Sequence, residues 1–248
     1  MKNYLQILLL IFPVLLLSAT TFYEYQLKQP RVKQAHANHI DDIEQLLDSF
    51  SLHRSGYELY LRAFKSEKKL ECWARNIGDK KYQIIKTFPI CRTCGDLGPK
   101  RCQGDKQIPE GHYHIDTFNP QSKYHLSMRV DYPNKSDSIL GESNNLGGDI
   151  YIHGKCFTIG CLPLGDNNIE YLYILCLLAR EAGQDQIPIT ILPVKLSDNY
   201  YQNLLFAYPK DNDRKQLWQS LKKIYQEFNT SNEIPDISID EKGRYLTN

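Results

Sequence analysis

The sequence predicts a mixed α+β domain that is mainly β, with helices attached. Three stretches of alternating apolar and polar residues, separated by short polar turns, are typical of an antiparallel meander; they lie at residues 57–64, 70–75 and 82–88. Apolar residues with helical spacing recur at residues 166–182 and 213–228. We therefore expect a curved sheet or a sandwich followed by one helix, with further helices attached at the N-terminal and C-terminal ends.

The first residues have the pattern of a secretory signal. Lys2 supplies a positive charge, residues 7–17 form an apolar run, and small residues follow. The run is shorter than the roughly 20 residues that span a bilayer as a stable helix. Leu17 is a mediocre residue at the third position before a cut after Ala19, so an uncleaved anchor is one alternative and a buried helix of a cytosolic protein another. We expect residues 1–22 to be a signal peptide or membrane anchor. The remainder would then be exported to the periplasm or cell envelope, or held at the inner membrane.

The bulk composition excludes one class of partner. The 248 residues carry a formal net charge of +1, so no basic field attracts nucleic acid. The chain contains seven cysteines, and in an oxidising compartment an odd number leaves at least one thiol unpaired. A free exported thiol is a liability unless it has a function.

A helical lead-in is expected before the meander, over residues 23–55. Residues 41–50 have helical spacing and start with acidic side chains, where the helix dipole favours them. After the meander, residues 91–107 are rich in Gly, Pro, Asp and Lys, which predicts a loop.

The chain then returns to strands, which the pattern predicts at residues 112–115, 124–130 and 150–157. Residues 131–149 are polar and rich in Gly and Asn. An irregular segment of this length is uncommon and could be a flap over a site.

Helical signals dominate the last part of the chain. Asp166 or Asn167 can cap a helix, with Glu170 three residues after Asn167. Residues 187–196 are apolar and β-rich, but their two prolines restrict them to an edge strand at best. We expect residues 197–248 to form a helical extension and a polar surface tail.

The most informative stretch is YIHGKCFTIGCLP, at residues 151–163. It holds His153 and Cys161, an imidazole that can take a proton and a thiol that can attack. A cysteine nucleophile needs an ionised sulfur, and a neighbouring imidazolium or a helix N-terminus lowers its pKa. The alternative interpretation is structural: a cysteine that packs as a small apolar residue and a hydrogen-bonded histidine.

The residues around this pair fit a tight turn. Gly154 and Gly160 permit backbone shapes that a side chain forbids. The backbone N–H groups of Gly160 and Cys161 could point together at a developing oxyanion. Thr158 could hydrogen-bond to the site or brace the turn. Cys156 is expected to pack in its strand, with redox pairing to Cys161 as the alternative.

The segment IHGKCFTIGC resembles the active-site signature of the YkuD-type L,D-transpeptidase family, in which a His-Gly pair precedes a Ser/Thr-x-Gly-Cys segment. The short gap resembles the YafK-like branch, with the pattern H-G-x-x-x-[ST]-x-G-C. The segments GDLGPK, GDKQIPEGHYHI and HLSMRVDYPN are similar to further motifs of that branch, in the same order. The resemblance covers roughly residues 57–196.

The resemblance implies a YkuD-type catalytic domain at residues 56–196. Carried over residue by residue, Cys161 would be the nucleophile and His153 the general base and acid. Gly154, Thr158 and Gly160 would shape the site.

Two further residues, His125 and Tyr132, match the HLS…YPN element and are expected near the cleft. The chain also departs from the larger branch of the family. Ile159 stands where that branch has a second histidine, and Leu162 where it often has an arginine. No metal and no organic cofactor is implied.

The implied reaction is acyl transfer on peptidoglycan stem peptides through a cysteine thioester. An amine acceptor would give a crosslink or a protein attachment. Water would give an L,D-endopeptidase or carboxypeptidase, for example one that releases a wall-bound lipoprotein. The alternative of another class is a non-catalytic cell-wall binding protein.

Three further cysteines lie in the predicted loop. Cys91, Cys94 and Cys102 could hold zinc together with His112 or His114. A disulfide, for instance between Cys94 and Cys102, or unpaired structural thiols are the alternatives.

Overall fold

The computed structural model describes residues 21–142 and 144–247. The expected signal or anchor therefore lies outside the described residues, apart from residues 21 and 22. The helices are Phe22–Leu27 (α1), Pro30–Ser49 (α2), Lys135–Leu140 (α3), Asp166–Glu181 (α4), Asp198–Ala207 (α5) and Asn212–Ser231 (α6). The strands are Tyr57–Phe64 (β1), Lys69–Asn76 (β2), Gln83–Pro89 (β3), Gly111–Asn119 (β4), Ser127–Val130 (β5), Tyr151–His153 (β6), Leu162–Pro163 (β7), Ile187–Leu192 (β8), Ile237–Ile239 (β9) and Tyr245–Thr247 (β10).

One mixed sheet organises the described chain, with the strand order β3-β2-β1-β8-β4-β5-β6-β7. The antiparallel meander β1–β2–β3 is present as the alternation predicts. Parallel pairing occurs between β1 and β8 and between β6 and β7, the pair at one edge of the sheet. The α+β class is confirmed, with helices forming a larger share of the fold than the pattern indicates.

The prediction of an edge strand at residues 187–196 is wrong. Strand β8 lies inside the sheet, paired with β1 on one side and β4 on the other. Its ladder with β1 begins at Ile189, one residue after Pro188, and Pro193 follows the last residue of the strand. The two prolines therefore flank this ladder, and the apolar residues between them are free to occupy a central position.

Helix α4 forms the centre of the core. Its residues 171–179 are all buried, Cys176 among them as expected. Helix α2 packs against α4 and begins at Pro30, well before the predicted start at residue 41. Proline suits the first helical turn because its missing N–H would have no partner there. The apolar face of α2 extends back to Val32 and Ala35. The residues around these two positions are polar, so the sequence pattern does not indicate a helix there.

No helix within residues 21–142 and 144–247 is both long and apolar enough to cross a membrane. Helices α5 and α6 lie in the segment predicted as a helical extension, whereas the β9–β10 hairpin is not predicted from the sequence. The hairpin is not a simple surface tail, because Tyr245 is buried. Its hydroxyl accepts hydrogen bonds from the Asn134 side chain at 2.7 Å and the His112 backbone at 3.2 Å.

A buried carboxylate ties helix α6 to the sheet. One oxygen of Glu110 accepts hydrogen bonds from the Lys65 ammonium at 2.8 Å and the Gly98 N–H at 2.6 Å. The other accepts the indole N–H of Trp218, on α6, at 2.7 Å. The Glu110 and Lys65 side chains are almost fully excluded from solvent. Both charges are compensated only as long as they remain paired.

We predict that Glu110→Ala destabilises the protein strongly, since it leaves the Lys65 ammonium buried without its counter-charge. Removing one partner of a buried ion pair costs about 3–5 kcal/mol in the free energy of unfolding. Urea denaturation measures the change. Glu44→Ala is the control, because Glu44 pairs with Arg54 at an exposed position and the expected cost is about 0–1 kcal/mol. Equal costs for the two variants would contradict the prediction.

Candidate active site

The parallel pair β6–β7 brings the two candidate catalytic residues to one place. His153 ends β6 and pairs with Pro163 of β7, while Cys161 lies immediately before β7. Cys161 itself lies in a bend outside both strands, so the strand register does not fix the direction of its side chain. The backbone thus places both residues at one edge of the sheet.

Thr158 braces the turn that carries the cysteine. Its hydroxyl oxygen accepts the N–H of Gly160 at 3.1 Å and that of Cys161 at 2.8 Å, and the hydroxyl donates to the Cys161 carbonyl at 2.8 Å. Of the two roles expected for Thr158, the structure shows the turn brace. The expected oxyanion site at these two N–H groups is not formed, because Thr158 occupies both of them.

The glycines of the turn are required by close approach. A Cβ on Gly154 would lie 2.6 Å from an Asp166 carboxylate oxygen and 2.7 Å from the Tyr124 carbonyl. Gly160 has a φ of 147°, and a Cβ there would lie 3.1 Å from the Gln107 carbonyl. Side chains are therefore excluded at both ends of the connection between the strands.

A disulfide between Cys91 and Cys156 fastens the middle of this connection. Of the alternatives for Cys94 and Cys102, the disulfide between them is not formed, and both residues carry free thiols. Cys156 is exposed and lies beyond β6, which ends at His153, so it does not pack in a strand. The suggested zinc set loses Cys91 to the disulfide, and no cluster suited to a metal occurs among the described residues.

Asp166 holds the same connection from the other side. It is the first residue of α4, whose N-cap is Gly165, so the predicted cap at Asp166 or Asn167 is displaced. Its carboxylate accepts the backbone N–H of Lys155 at 2.8 Å. Lys155 has a φ of 55°, a conformation that turns the chain back toward the helix.

Cys161 opens onto a cavity of about 320 Å³. Lys100, Lys106, Asp149 and Ile159 contribute to its walls. The thiol donates to the Asp149 carbonyl at 3.4 Å. Burial raises the pKa of the Cys161 thiol, and a hydrogen bond from the Tyr151 backbone counteracts this only in part. These surroundings favour the neutral thiol, contrary to the expectation of an ionised sulfur.

His153 is 2% exposed and does not line the cavity itself. Its Nδ1–H donates to the Gly154 carbonyl at 2.5 Å, and Nε2 has no hydrogen-bond partner among the described residues. Burial lowers the pKa of the imidazole. The ring is therefore neutral at pH 7, with its Nε2 lone pair available as a base. The Tyr124 ring packs on it, with centroids 4.6 Å apart and planes inclined by 34°.

The two further cleft candidates lie beside the site but do not enter the cavity. The Cβ of His125 approaches Gly154, whereas its ring Nε2 donates to Glu170 at 2.6 Å. The buried Tyr132 donates its hydroxyl to the Lys100 carbonyl at 3.4 Å, behind the cavity wall. Sequence reasoning missed Tyr124, although it directly precedes His125 in the quoted motif.

We predict that Thr158→Val loosens the cysteine turn, because the valine has no oxygen to accept the Gly160 and Cys161 N–H groups. An unsatisfied buried N–H costs about 1–3 kcal/mol. Amide hydrogen exchange at these two residues should accelerate by about tenfold or more, while Thr158→Ser, which keeps the hydroxyl, should exchange like the wild type. Equal exchange rates in the valine and serine variants would argue against the brace.

Comparison with known proteins identifies the family. No family model matches the chain. It is 30% identical over 193 residues to "Putative L,D-transpeptidase YafK" of Escherichia coli K12, with 77% of this chain and 74% of that protein covered, and the O157:H7 protein gives the same values. Two solved structures are also similar. One is the helical cell shape determining protein Pgp2 from Campylobacter jejuni, with a TM-score of 0.44 and 18% identity, covering 75% of this chain and 74% of that chain. The other is L,D-transpeptidase 1 from Mycobacterium tuberculosis, with a TM-score of 0.31 and 15% identity, covering 55% of this chain and 62% of that chain. On the likeness to YafK, the chain belongs to the L,D-transpeptidase family.

Proposed function

We propose that this protein is a cysteine-dependent L,D-transpeptidase that acts on peptidoglycan stem peptides. The observation that carries the proposal is the position of Cys161: its thiol lines an open cavity, and it lies two residues before Pro163, the β7 residue that pairs with His153. A family member with a free thiol at this position has the nucleophile that a thioester mechanism needs.

In the proposed mechanism both groups start uncharged. Nε2 of His153 takes the thiol proton as Sγ of Cys161 attacks the carbonyl carbon at the L-centre of the diamino acid in a tetrapeptide stem. The tetrahedral intermediate collapses and the bond to D-alanine breaks, with the imidazolium returning the proton to the leaving amine. A thioester remains on Cys161.

The second half of the reaction resolves the thioester. An acceptor amine attacks it while His153 takes a proton from the amine, and the departing sulfur recovers a proton from the imidazolium. The products are a new amide and the free thiol. Water can replace the amine, in which case the products are a carboxylic acid and the free thiol. We favour transfer, which gives a crosslink or a protein attachment.

We also propose that the protein works outside the cytoplasm, in the periplasm or cell envelope. The disulfide between Cys91 and Cys156 supports this location, because structural disulfides persist in oxidising compartments and are rare in the cytosol. The wall substrate of the proposed reaction lies in the same compartment.

We predict that Cys161→Ala abolishes the change that the wild-type protein makes to purified cell wall. His153→Ala should slow the reaction by roughly 10²–10⁴-fold, the usual contribution of a general acid and base. The measurement is a muropeptide profile together with intact-protein mass spectrometry, which detects the acyl-enzyme. Cys94→Ala is the matched control, since Cys94 is a nearby free thiol with no role in the mechanism.

The product distribution decides between the alternatives. New crosslinks or wall-attached protein support transfer. Freed stems or freed lipoprotein instead show that the reaction is hydrolysis. Binding to wall without any adduct at Cys161, and with identical profiles for wild type and Cys161→Ala, would leave the non-catalytic binding module as the correct function.

The neutral resting pair predicts the pH dependence of Cys161 alkylation. Only the thiolate reacts with iodoacetamide, and burial raises the pKa of this thiol above the ordinary value of 9.0. The alkylation rate should therefore still be rising at pH 9. Peptide mass spectrometry resolves Cys161 from the other free cysteines. A rate that reaches its plateau below about pH 7 would indicate a preformed thiolate–imidazolium pair and contradict the neutral state.

A further inference from the structure

The orientation of His153 depends on a segment that lies outside the catalytic turn. Residues 122–125 belong to the connection between β4 and β5 and carry Tyr124, whose ring covers the imidazole. The Tyr124 carbonyl and the His125 Cβ also approach Gly154, the residue that accepts the His153 Nδ1–H. A shift of this segment would therefore move both the Tyr124 ring, which packs on the imidazole, and Gly154, whose carbonyl accepts the Nδ1–H.

Arg31 of helix α2 contacts both ends of this segment. Nη1 of Arg31 donates to the Ser122 carbonyl at 2.6 Å and to the His125 carbonyl at 2.7 Å. The two carbonyls flank Tyr124 in the chain. Arg31 has no carboxylate within ion-pair distance among the described residues, so its charge is directed to these two acceptors. Hydrogen bonds from a charged donor are stronger than neutral ones.

A second set of contacts fixes the same helix relative to the segment. Glu170 of α4 accepts from the His125 ring at 2.6 Å and from the Asn38 amide of α2 at 3.1 Å. His39 of α2 lies 3.3 Å from the same carboxylate. Helix α2, which carries Arg31, is therefore itself held in place by these contacts. A shift of the whole helix cannot compensate for a displacement of Arg31 alone.

We propose that Arg31 is a positioning residue for the reaction. It holds residues 122–125 so that the Tyr124 ring fixes the plane of the His153 imidazole. This inference rests on the proposed function for its catalytic consequence, whereas the orientation of the ring is a property of the protein without substrate. The competing role for Arg31 is purely structural, as a contact that stabilises the docking of α2 and leaves the site unchanged.

Substrate-free NMR tests the orientation directly. The Tyr124 ring current displaces the carbon-bound protons of the His153 imidazole, which are assigned with His153→Ala. Arg31→Ala and Tyr124→Ala should move these signals in the same direction and leave the His114 signals in place. Tyr124→Phe keeps an aromatic ring and should preserve the wild-type shifts. Arg54→Ala is the matched control, since Arg54 is an exposed arginine paired with Glu44 of α2.

Single-turnover acylation tests the catalytic consequence. Arg31→Ala and Tyr124→Ala should each lower the acylation rate by about tenfold, because small misplacements of a catalytic group are costly. The substrate concentration for half-maximal rate should change by less than about twofold, and Arg31→Lys should recover part of the rate. The double variant should be no slower than the slower single variant, since both act through one contact.

Each result separates the inference from the proposed function. Unchanged His153 signals in Arg31→Ala overturn the inference whether or not the enzyme is active. A lower melting temperature with an unchanged acylation rate, or additive losses in the double variant, also overturns it. If the His153 signals move as expected while wild type and Cys161→Ala are equally inert on cell wall, the positioning contact stands and the proposed function fails.

Discussion

The site depends on a parallel strand pair whose connection is much shorter than usual. Parallel strands normally need a crossover of a dozen or more residues, whereas β6 and β7 are joined by residues 154–161 alone. The chain must leave one strand, reverse, and re-enter beside it within one compact turn. This reversal places His153 and Cys161 at the two ends of one short connection, and it explains why so many contacts converge on that segment.

Each constraint on the turn acts at a different point along it. Gly154 allows the chain to pass under Tyr124 and Asp166, the Cys91–Cys156 disulfide fixes the middle, and Thr158 closes the end. The helices extend this support. Helix α4 presents Asp166 and Glu170 to the site from its first turns, and α2 lies across α4. The helices thus do more than cover the sheet, because Asp166 and Glu170 hold the edge that carries the candidate site.

The sequence predicts this fold best where a pattern is local. The meander, the cysteine turn and helix α6 follow from alternation, motif and helical period. The central place of β8 was missed because prolines disfavour inner strands, and only the sheet register shows that they lie outside the β1 ladder. The disulfide partner of Cys91 was equally hidden, since Cys156 is distant in sequence. The motif identifies Thr158 as a residue of the turn. Only the structure shows that its hydroxyl accepts the N–H groups of both Gly160 and Cys161.

The burial that keeps Cys161 protonated has a protective consequence. Peroxides and disulfides react with thiolates far faster than with thiols, so a resting neutral sulfur is a poor target for oxidation. This matters because Cys94, another free thiol, contacts the same Thr158 hydroxyl at 3.8 Å. In the proposed mechanism, a Cys161 thiol that ionises only during attack would avoid a mistaken crosslink to that neighbour and would survive between turnovers.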